Sequence, residues 1–168
     1  SPIGMANSAK PYNSINSVYC NSYESKCAHG THVAGIAAGR KAAFLPNGIQ
    51  GVAPDASIFA IQIFSFPVSG SGLPSAESPD AIAALQAVRA ETVAGIQNPL
   101  IVNMSISGQP YSNPVDCEAA ESTRSNIISN LNSLGVPVVA ATGNNNLTSE
   151  ITAPACISKV IKVSAVKN

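Results

Sequence analysis

Cys27-Ala-His-Gly-Thr-His-Val-Ala-Gly-Ile-Ala-Ala-Gly39 holds both histidines of the chain among small residues that let backbones approach closely. Histidine is the side chain best suited to moving a proton near neutral pH, and His29 stands where a helix carrying Ala34, Ile36, Ala37 and Ala38 would begin. At a helix start its imidazole can face a cleft. The glycines at 30, 35 and 39 are poor helix formers, so their recurrence points to close packing, with Gly39 as the C-terminal stop. Taken alone, a histidine among apolar residues reads as a satisfied core group. His32 lies three residues on, but a zinc peptidase of the His-Glu-x-x-His type needs four-residue spacing and a glutamate base, so His32 is read as structural.

Outward from this stretch, strand and helix patterns alternate. Residues 1 to 28 are rich in Ser, Asn, Tyr and Pro without periodicity and read as an irregular N-terminal segment. After the turn signal Pro46-Asn47-Gly48, Gly51-Val-Ala-Pro-Asp55 leads into Ser57-Ile-Phe-Ala-Ile-Gln-Ile-Phe64, which reads as a mostly buried strand. Phe66 to Pro74 is a Gly-, Ser- and Pro-rich surface loop. Ser78 is expected to cap a helix with Pro79 in its first position and Asp80 at the positive end of its dipole, and Ile82, Leu85, Val88, Val93 and Ile96 on one face. Leu100 to Ser105 is a second strand, Cys117 to Leu134 a helix ended by Gly135, Val136 to Ala141 a third strand and Lys159 to Val166 a fourth. This alternation predicts an α/β protein with a parallel sheet. Ligands in such sheets bind at the carboxyl ends of strands, which directs attention to Ser105–Gly108 and Thr142–Asn146.

Size and composition bound the function. A chain of 168 residues, 45% hydrophobic and 11% charged, is enough for one globular domain with a core. Nine basic and nine acidic residues balance, with no Lys/Arg cluster, so neither a nucleic-acid nor a membrane-surface partner is expected. No apolar run reaches spanning length. Four cysteines are compatible with two disulfides in an oxidising compartment, or with four buried thiols. Of the three possible pairings, Cys20 with Cys27 and Cys117 with Cys156 is the preferred one.

His29-Gly-Thr-His-Val-Ala-Gly35 resembles the histidine motif of the subtilisin-like serine proteases, the subtilases, whose triad runs in chain order Asp, His, Ser. Gly51-Val-Ala-Pro-Asp-Ala56, Asn103-Met-Ser-Ile-Ser-Gly108 and Val138-Val-Ala-Ala-Thr-Gly-Asn144 resemble the segments that follow it, in the right order. Pro154 to Val166 resembles the strand before the serine region. The resemblance covers nearly all of 29 to 166. It implies a three-layer α/β fold, a parallel sheet flanked by helices and incomplete at both ends, within a single partial catalytic domain spanning 1–168.

Residue by residue, the resemblance makes His29 the general base and Asn144 the donor to the oxyanion. Ser105, Ile106, Ser107 and Gly108 become the edge that pairs with a peptide substrate, with Thr142 and Gly143 beside it. Ser107 stands where the family often has glycine, and a side chain there narrows the first specificity pocket. Calcium is an expectation of the resemblance alone, since no run of ligands can be assigned. A secreted or extracellular location is expected, with any signal peptide outside this chain.

Two family features are missing from these residues. The acid that orients the base should precede the histidine, yet residues 1 to 28 contain only Glu24, in no such motif. The Gly-Thr-Ser word of the nucleophile should follow the last strand, and Ser149 and Ser164 are poor substitutes. Ser1 without an initiator methionine, and an end on the final strand, suggest an excised middle portion of a longer protease. Such a piece should expose apolar edges, filled by self-association or by docking of the absent segments. The alternative is a non-catalytic peptide-binding relative. Nucleotide binding is disfavoured, because no Gly-x-Gly-x-x-Gly follows a predicted strand.

Overall fold

The computed structural model describes residues 28–41, 48, 50–64, 78–95 and 100–166. Cys20 and Cys27, the irregular segment up to residue 27, the Pro46-Asn47 turn, the Phe66–Pro74 loop and Ile96 lie outside the described residues. The chain divides into two compact units, Ser1–Glu77 and Ser78–Asn168.

In the first unit, helix α1 (His29–Ala38) begins at the histidine as expected and is closed at Gly39, whose N–H donates to Gly35 O. The last carbonyls of a helix lack partners within it. Here the following segment supplies them: Gly51 N–H donates to Gly39 O at 2.8 Å, Val52 N–H to Ile36 O at 3.0 Å and Ala53 N–H to Ala37 O at 2.8 Å. This is the physical content of the Gly-Val-Ala word. A Cβ on Gly51 would lie 2.5 Å from Gly39 N and 2.8 Å from Gly35 O, so only glycine lets the backbone come this close. Arg40 Nε donates to Pro54 O at 2.8 Å, and its guanidinium lies 3.6 Å from Asp55 in an exposed pair that contributes little. No residue of α1 is buried, although its sequence suits a buried helix.

Residues 57–64 do not form the buried strand that the apolar run predicts. They are paired into no described sheet, with Ile58, Phe59 and Phe64 exposed. A strand exists through its hydrogen-bonded neighbour, and no described strand runs beside this one.

The second unit carries the α/β layers. Helix α2 (Ser78–Val93) starts at the expected serine with Asp80 in its first turn. Its buried face is Ala81, Leu85 and Val88. Ile82 is half-buried and Val93 exposed, so the stripe is rotated from the predicted one toward Ala81. Strands β1 (Val102–Met104), β3 (Val138–Ala141) and β5 (Ile161–Val163) form a parallel sheet in the order β1-β3-β5. Val102 faces Val138, and Val139 faces Ile161.

The predicted helix from Cys117 begins earlier and is bent. Asn113 caps it, its side chain accepting from Asp116 N–H at 2.9 Å, with Pro114 at the start of α3 (Pro114–Ala120). Only Glu121, at φ −102° and ψ 28°, departs from helical geometry before α4 (Ser122–Ser133). Hydrogen bonds run across the bend from Glu121 N–H to Cys117 O and from Ser125 N–H to Glu121 O, both 2.8 Å. Glu121 and Arg124 pair at 3.0 Å beside it. The predicted stop at Gly135 is a Schellman motif: with φ at +79°, Gly135 N–H reaches Asn132 O and Val136 N–H reaches Leu131 O.

Ile127, Ile128 and Leu131 of α4 are buried, with α4 packed on α2 and on β3. Met104, Val138, Ala140, Ala155, Ile157 and Val160 complete this core. A second, antiparallel pair joins β2 (Pro110–Tyr111) to β4 (Ile151–Thr152), with Pro110 opposite Thr152. The pairing of Cys117 with Cys156 is present, with Cα atoms 6.0 Å apart. Every residue of β5 is exposed, including Ile161 and Val163, as is Ile101 beside β1. Among the described residues no helix is long and apolar enough to cross a membrane.

Bridging residues 39 apart should restrict the unfolded chain strongly. Replacing both Cys117 and Cys156 with alanine is expected to lower the unfolding free energy by about 2–4 kcal/mol in urea melts.

Candidate active site

Parallel pairing sends the ends of β1 and β3 out of the same edge of the sheet. With Met104 opposite Ala140, the segments that follow, Ser105–Gly108 and Thr142–Asn144, leave side by side at the carboxyl end. The sequence-predicted binding residues of the second unit are therefore brought together. His29 and Asn144 lie in different compact units. His29 is an exposed first residue of α1, the position from which a side chain can reach a cleft.

Both segments are fastened to one short stretch, 151–153. Gly108 N–H donates to Ala153 O and Ala153 N–H to Gln109 O, each at 2.8 Å. The amide proton of Gly108 thus holds the edge to the protein and is not offered to a peptide. Ser105 and Ile106 are half-buried and Ser107 is exposed; Ser105 Oγ accepts from Asn103 Nδ2 at 2.9 Å. On the other side, Thr142 N–H donates to Val163 O at 3.0 Å, extending the β3–β5 ladder by one rung. Thr142 O accepts from both the N–H and the Oγ1 of Thr152, each at 3.1 Å.

Beyond this pinned peptide the chain turns. Gly143 has φ +113° and Asn146 has φ +54°, the latter a conformation that asparagine tolerates better than most residues. Between them Asn144 and Asn145 are exposed, so the Asn144 carboxamide is presented from the tip of a turn whose base is fixed. A Cβ on Gly143 would lie 2.8 Å from both Cγ2 and Oγ1 of Thr152. Glycine is required there twice over, by backbone conformation and by space.

The segment that follows 151–153 is tied to α3 and α4 at residues 156–159. Glu118 Oε1 accepts from Ser158 N–H at 2.9 Å and from the Ser158 hydroxyl, one residue from the Cys117–Cys156 bridge. Asn132 Nδ2 donates to Lys159 O at 2.8 Å. The Ser158 hydroxyl, and after it the Ser158 N–H, hold the Glu118 carboxyl below the usual carboxylate range, with Lys159 and Lys162 adding to the effect and partial burial opposing it. Lys162 Nζ is itself turned to Ile157 O at 3.1 Å.

Thr152 is the residue that sequence reasoning missed. A threonine in a two-residue strand leaves no periodic signal, and its importance shows only when two distant loops are seen to meet at it. Among the described residues no group of three or more His, Cys, Asp or Glu side chains stands together as a metal cluster.

A family model described as the subtilase family matches residues 5–168. The chain is 32% identical over 147 residues to the minor extracellular protease Epr of Bacillus subtilis (strain 168), covering 88% of this chain and 19% of Epr. It is 28% identical over 149 residues to a subtilisin of Bacillus sp. (strain TA39), covering 88% of this chain and 31% of that protein. The chain thus spans less than a third of the length of these relatives. Among solved structures, S41 psychrophilic protease superposes with a TM-score of 0.66 at 26% identity, and sphericase with 0.64 at 31%; each match covers 83% of this chain and 40% of the other.

Two outcomes follow from this geometry. Gly143→Ala should destabilise the second unit by about 2 kcal/mol or more, from the left-handed backbone cost plus the overlap with Thr152, read as a lowered urea midpoint. Because the Glu118 carboxyl is held low, its stabilisation is complete above the usual carboxylate range and is lost as pH falls through its depressed value. The thermal midpoint should therefore fall on acidification below the usual carboxylate range, and Glu118→Gln should flatten that part of the slope.

Proposed function

Because the chain belongs to the subtilase family, we propose that it is the central part of a secreted serine endopeptidase that hydrolyses peptide bonds. The observation that supports this most directly is the shared carboxyl-edge placement of Ser105–Gly108 and the Asn144 turn, both anchored on 151–153. That arrangement offers a strand-like edge for a peptide next to a presented carboxamide. Similarity to the minor extracellular protease Epr supports the location.

In this reading His29 takes the proton from the attacking serine hydroxyl and returns it to the leaving amine. As the carbonyl carbon becomes tetrahedral, its oxygen turns anionic and receives a hydrogen bond from the Asn144 carboxamide. The backbone at Ser105, Ile106 and Ser107 pairs with the substrate as an added strand, and Gly108 secures that edge. Thr142 and Gly143 form the opposite side and hold Asn144 in place. The serine, and the aspartate that fixes the tautomer of His29, come from outside these 168 residues. The isolated chain therefore performs no hydrolysis. The exposed apolar residues of β5 and beside β1 suit self-association or the docking of further segments of the protein. Calcium enters no step of this mechanism.

The test is to treat the longer protein and the 168-residue chain with a serine-directed phosphonate probe and to assay both on casein. The longer protein should label and cleave, and the short chain should do neither. Asn144→Ala in the longer protein should lower kcat by about 100- to 1000-fold, a magnitude already known for this donor within the family. A longer protein that binds peptide but neither labels nor cleaves would establish the non-catalytic reading instead, and labelling of the short chain would place the nucleophile within it.

A further inference from the structure

We propose that Thr152 is a positioning residue for oxyanion stabilisation, clamping the Thr142–Gly143 peptide so that the Asn144 carboxamide is aimed before substrate arrives. The inference rests on the assignment of Asn144 as the oxyanion donor. Thr152 is fully buried, with 0% of its surface exposed, in a strand only two residues long. Both of its donors, the backbone N–H and Oγ1, converge on a single acceptor, Thr142 O, at 3.1 Å each. Its side chain fills the space where any side chain on Gly143 would stand.

A carbonyl oxygen has two lone pairs, and here Thr152 supplies a donor to each. The N–H of Thr142 is taken by Val163 O. The peptide plane before Gly143 is thereby held at its carbonyl, and the plane preceding it at its N–H. Gly143 is the most permissive residue in the turn, free to swing wherever its neighbours allow. The Thr152 methyl and hydroxyl fill the space on its side-chain face, and Gly143 stands at φ +113°. An exposed asparagine one residue further on then inherits a defined direction. Preorganised donors stabilise a developing charge because they need not reorient during the reaction. A carboxamide on an unclamped glycine turn would spend part of its stabilisation on ordering.

The clamp also couples the two walls of the cleft. Thr152 is followed by Ala153, whose N–H and O hold Gln109 and Gly108. A shift of Thr152 is expected to move the oxyanion turn relative to the peptide-binding edge. The effect falls on kcat, because the carboxamide acts in the transition state, and leaves KM nearly unchanged.

The experiment compares Thr152→Val and Thr152→Ser in the longer protein that carries these residues, assayed on a chromogenic peptide. T152V keeps the shape and removes the hydroxyl; it should lower kcat about tenfold with KM changed less than about twofold. T152S keeps the hydroxyl and should stay within about threefold of the parent kcat. In an Asn144→Ala background T152V should cost no further activity, since a positioning role has nothing left to position. An equal loss in that background, or an unchanged kcat for T152V alone, overturns the inference. If T152V does not fold, as judged by its thermal midpoint, the pair Thr152→Ser and Thr152→Ala makes the same comparison of hydroxyl present and absent. A parent that cleaves no peptide overturns the protease reading and this inference together, whereas a cleaving parent with an indifferent T152V overturns this one alone.

Discussion

One peptide carbonyl, that of Thr142, organises the carboxyl edge of the sheet. It closes β3, begins the turn that carries Asn144, and receives both donors of Thr152. Each neutral hydrogen bond of this kind contributes about 1 kcal/mol net, but leaving the acceptor buried and unmet would cost about 1–3 kcal/mol. The constraint is thus stronger as a prohibition than as an attraction. Any arrangement that withdraws Thr152 strands a carbonyl and opens a hole beside Gly143, so the turn has one good conformation and poor alternatives. The same short strand sends Ala153 across to Gly108 and Gln109, and two stretches some 35 residues apart in sequence become one structural element.

That element depends on layers built from ordinary rules. Parallel strands place their ends on one side without further specification, and the helices behind them bury Leu85, Val88, Ile128 and Leu131 to hold the sheet in register. The first unit shows the same economy at smaller scale. The backbone N–H groups of Gly51, Val52 and Ala53 finish the helix that starts at His29, and Gly51 is fixed by the closeness of that approach. A histidine at a helix start is only as well placed as the helix is well ended.

Much of this was legible because the deciding signals are local. A proline and acid after Ser78, a glycine after Leu134, and the β-branched runs at 100–105 and 136–141 each act within a few residues, and their elements appear where the sequence puts them. The Cys117–Cys156 pairing was legible as well, while that of Cys20 and Cys27 lies outside the described residues. Non-local features were opaque. The run at 57–64 has every mark of a strand, but a strand needs a neighbour, and period alone does not supply one. Asn113 outranked Cys117 as the helix start because a side-chain cap and Pro114 act together there. The β2–β4 pair is two residues long, too short for any period, so the segments at 105–108 and 142–144 were readable as likeness to a family while their common anchor was not.

The distribution of restraints around β4 then has a physical logic. Just after it in the chain come a covalent bridge from α3 to Cys156, a carboxylate staple from Glu118 to Ser158 and a hydrogen bond from the Asn132 carboxamide to Lys159 O. Its own bonds to the exposed turn, among the described residues, are neutral backbone and hydroxyl ones. Closing a loop of this length by a disulfide constrains the unfolded chain by about 4 kcal/mol, several times the share of either hydrogen bond to Thr142. Rigid backing lets weak bonds set a direction, because β4 has little freedom to drift and its donors meet the turn from a fixed position. Had the strong restraints been placed on the turn itself, they would have occupied the surface that the proposed substrate would approach. Bracing away from the turn leaves the carboxamide exposed, the combination that the proposed stabilisation of an anion at an open edge would need.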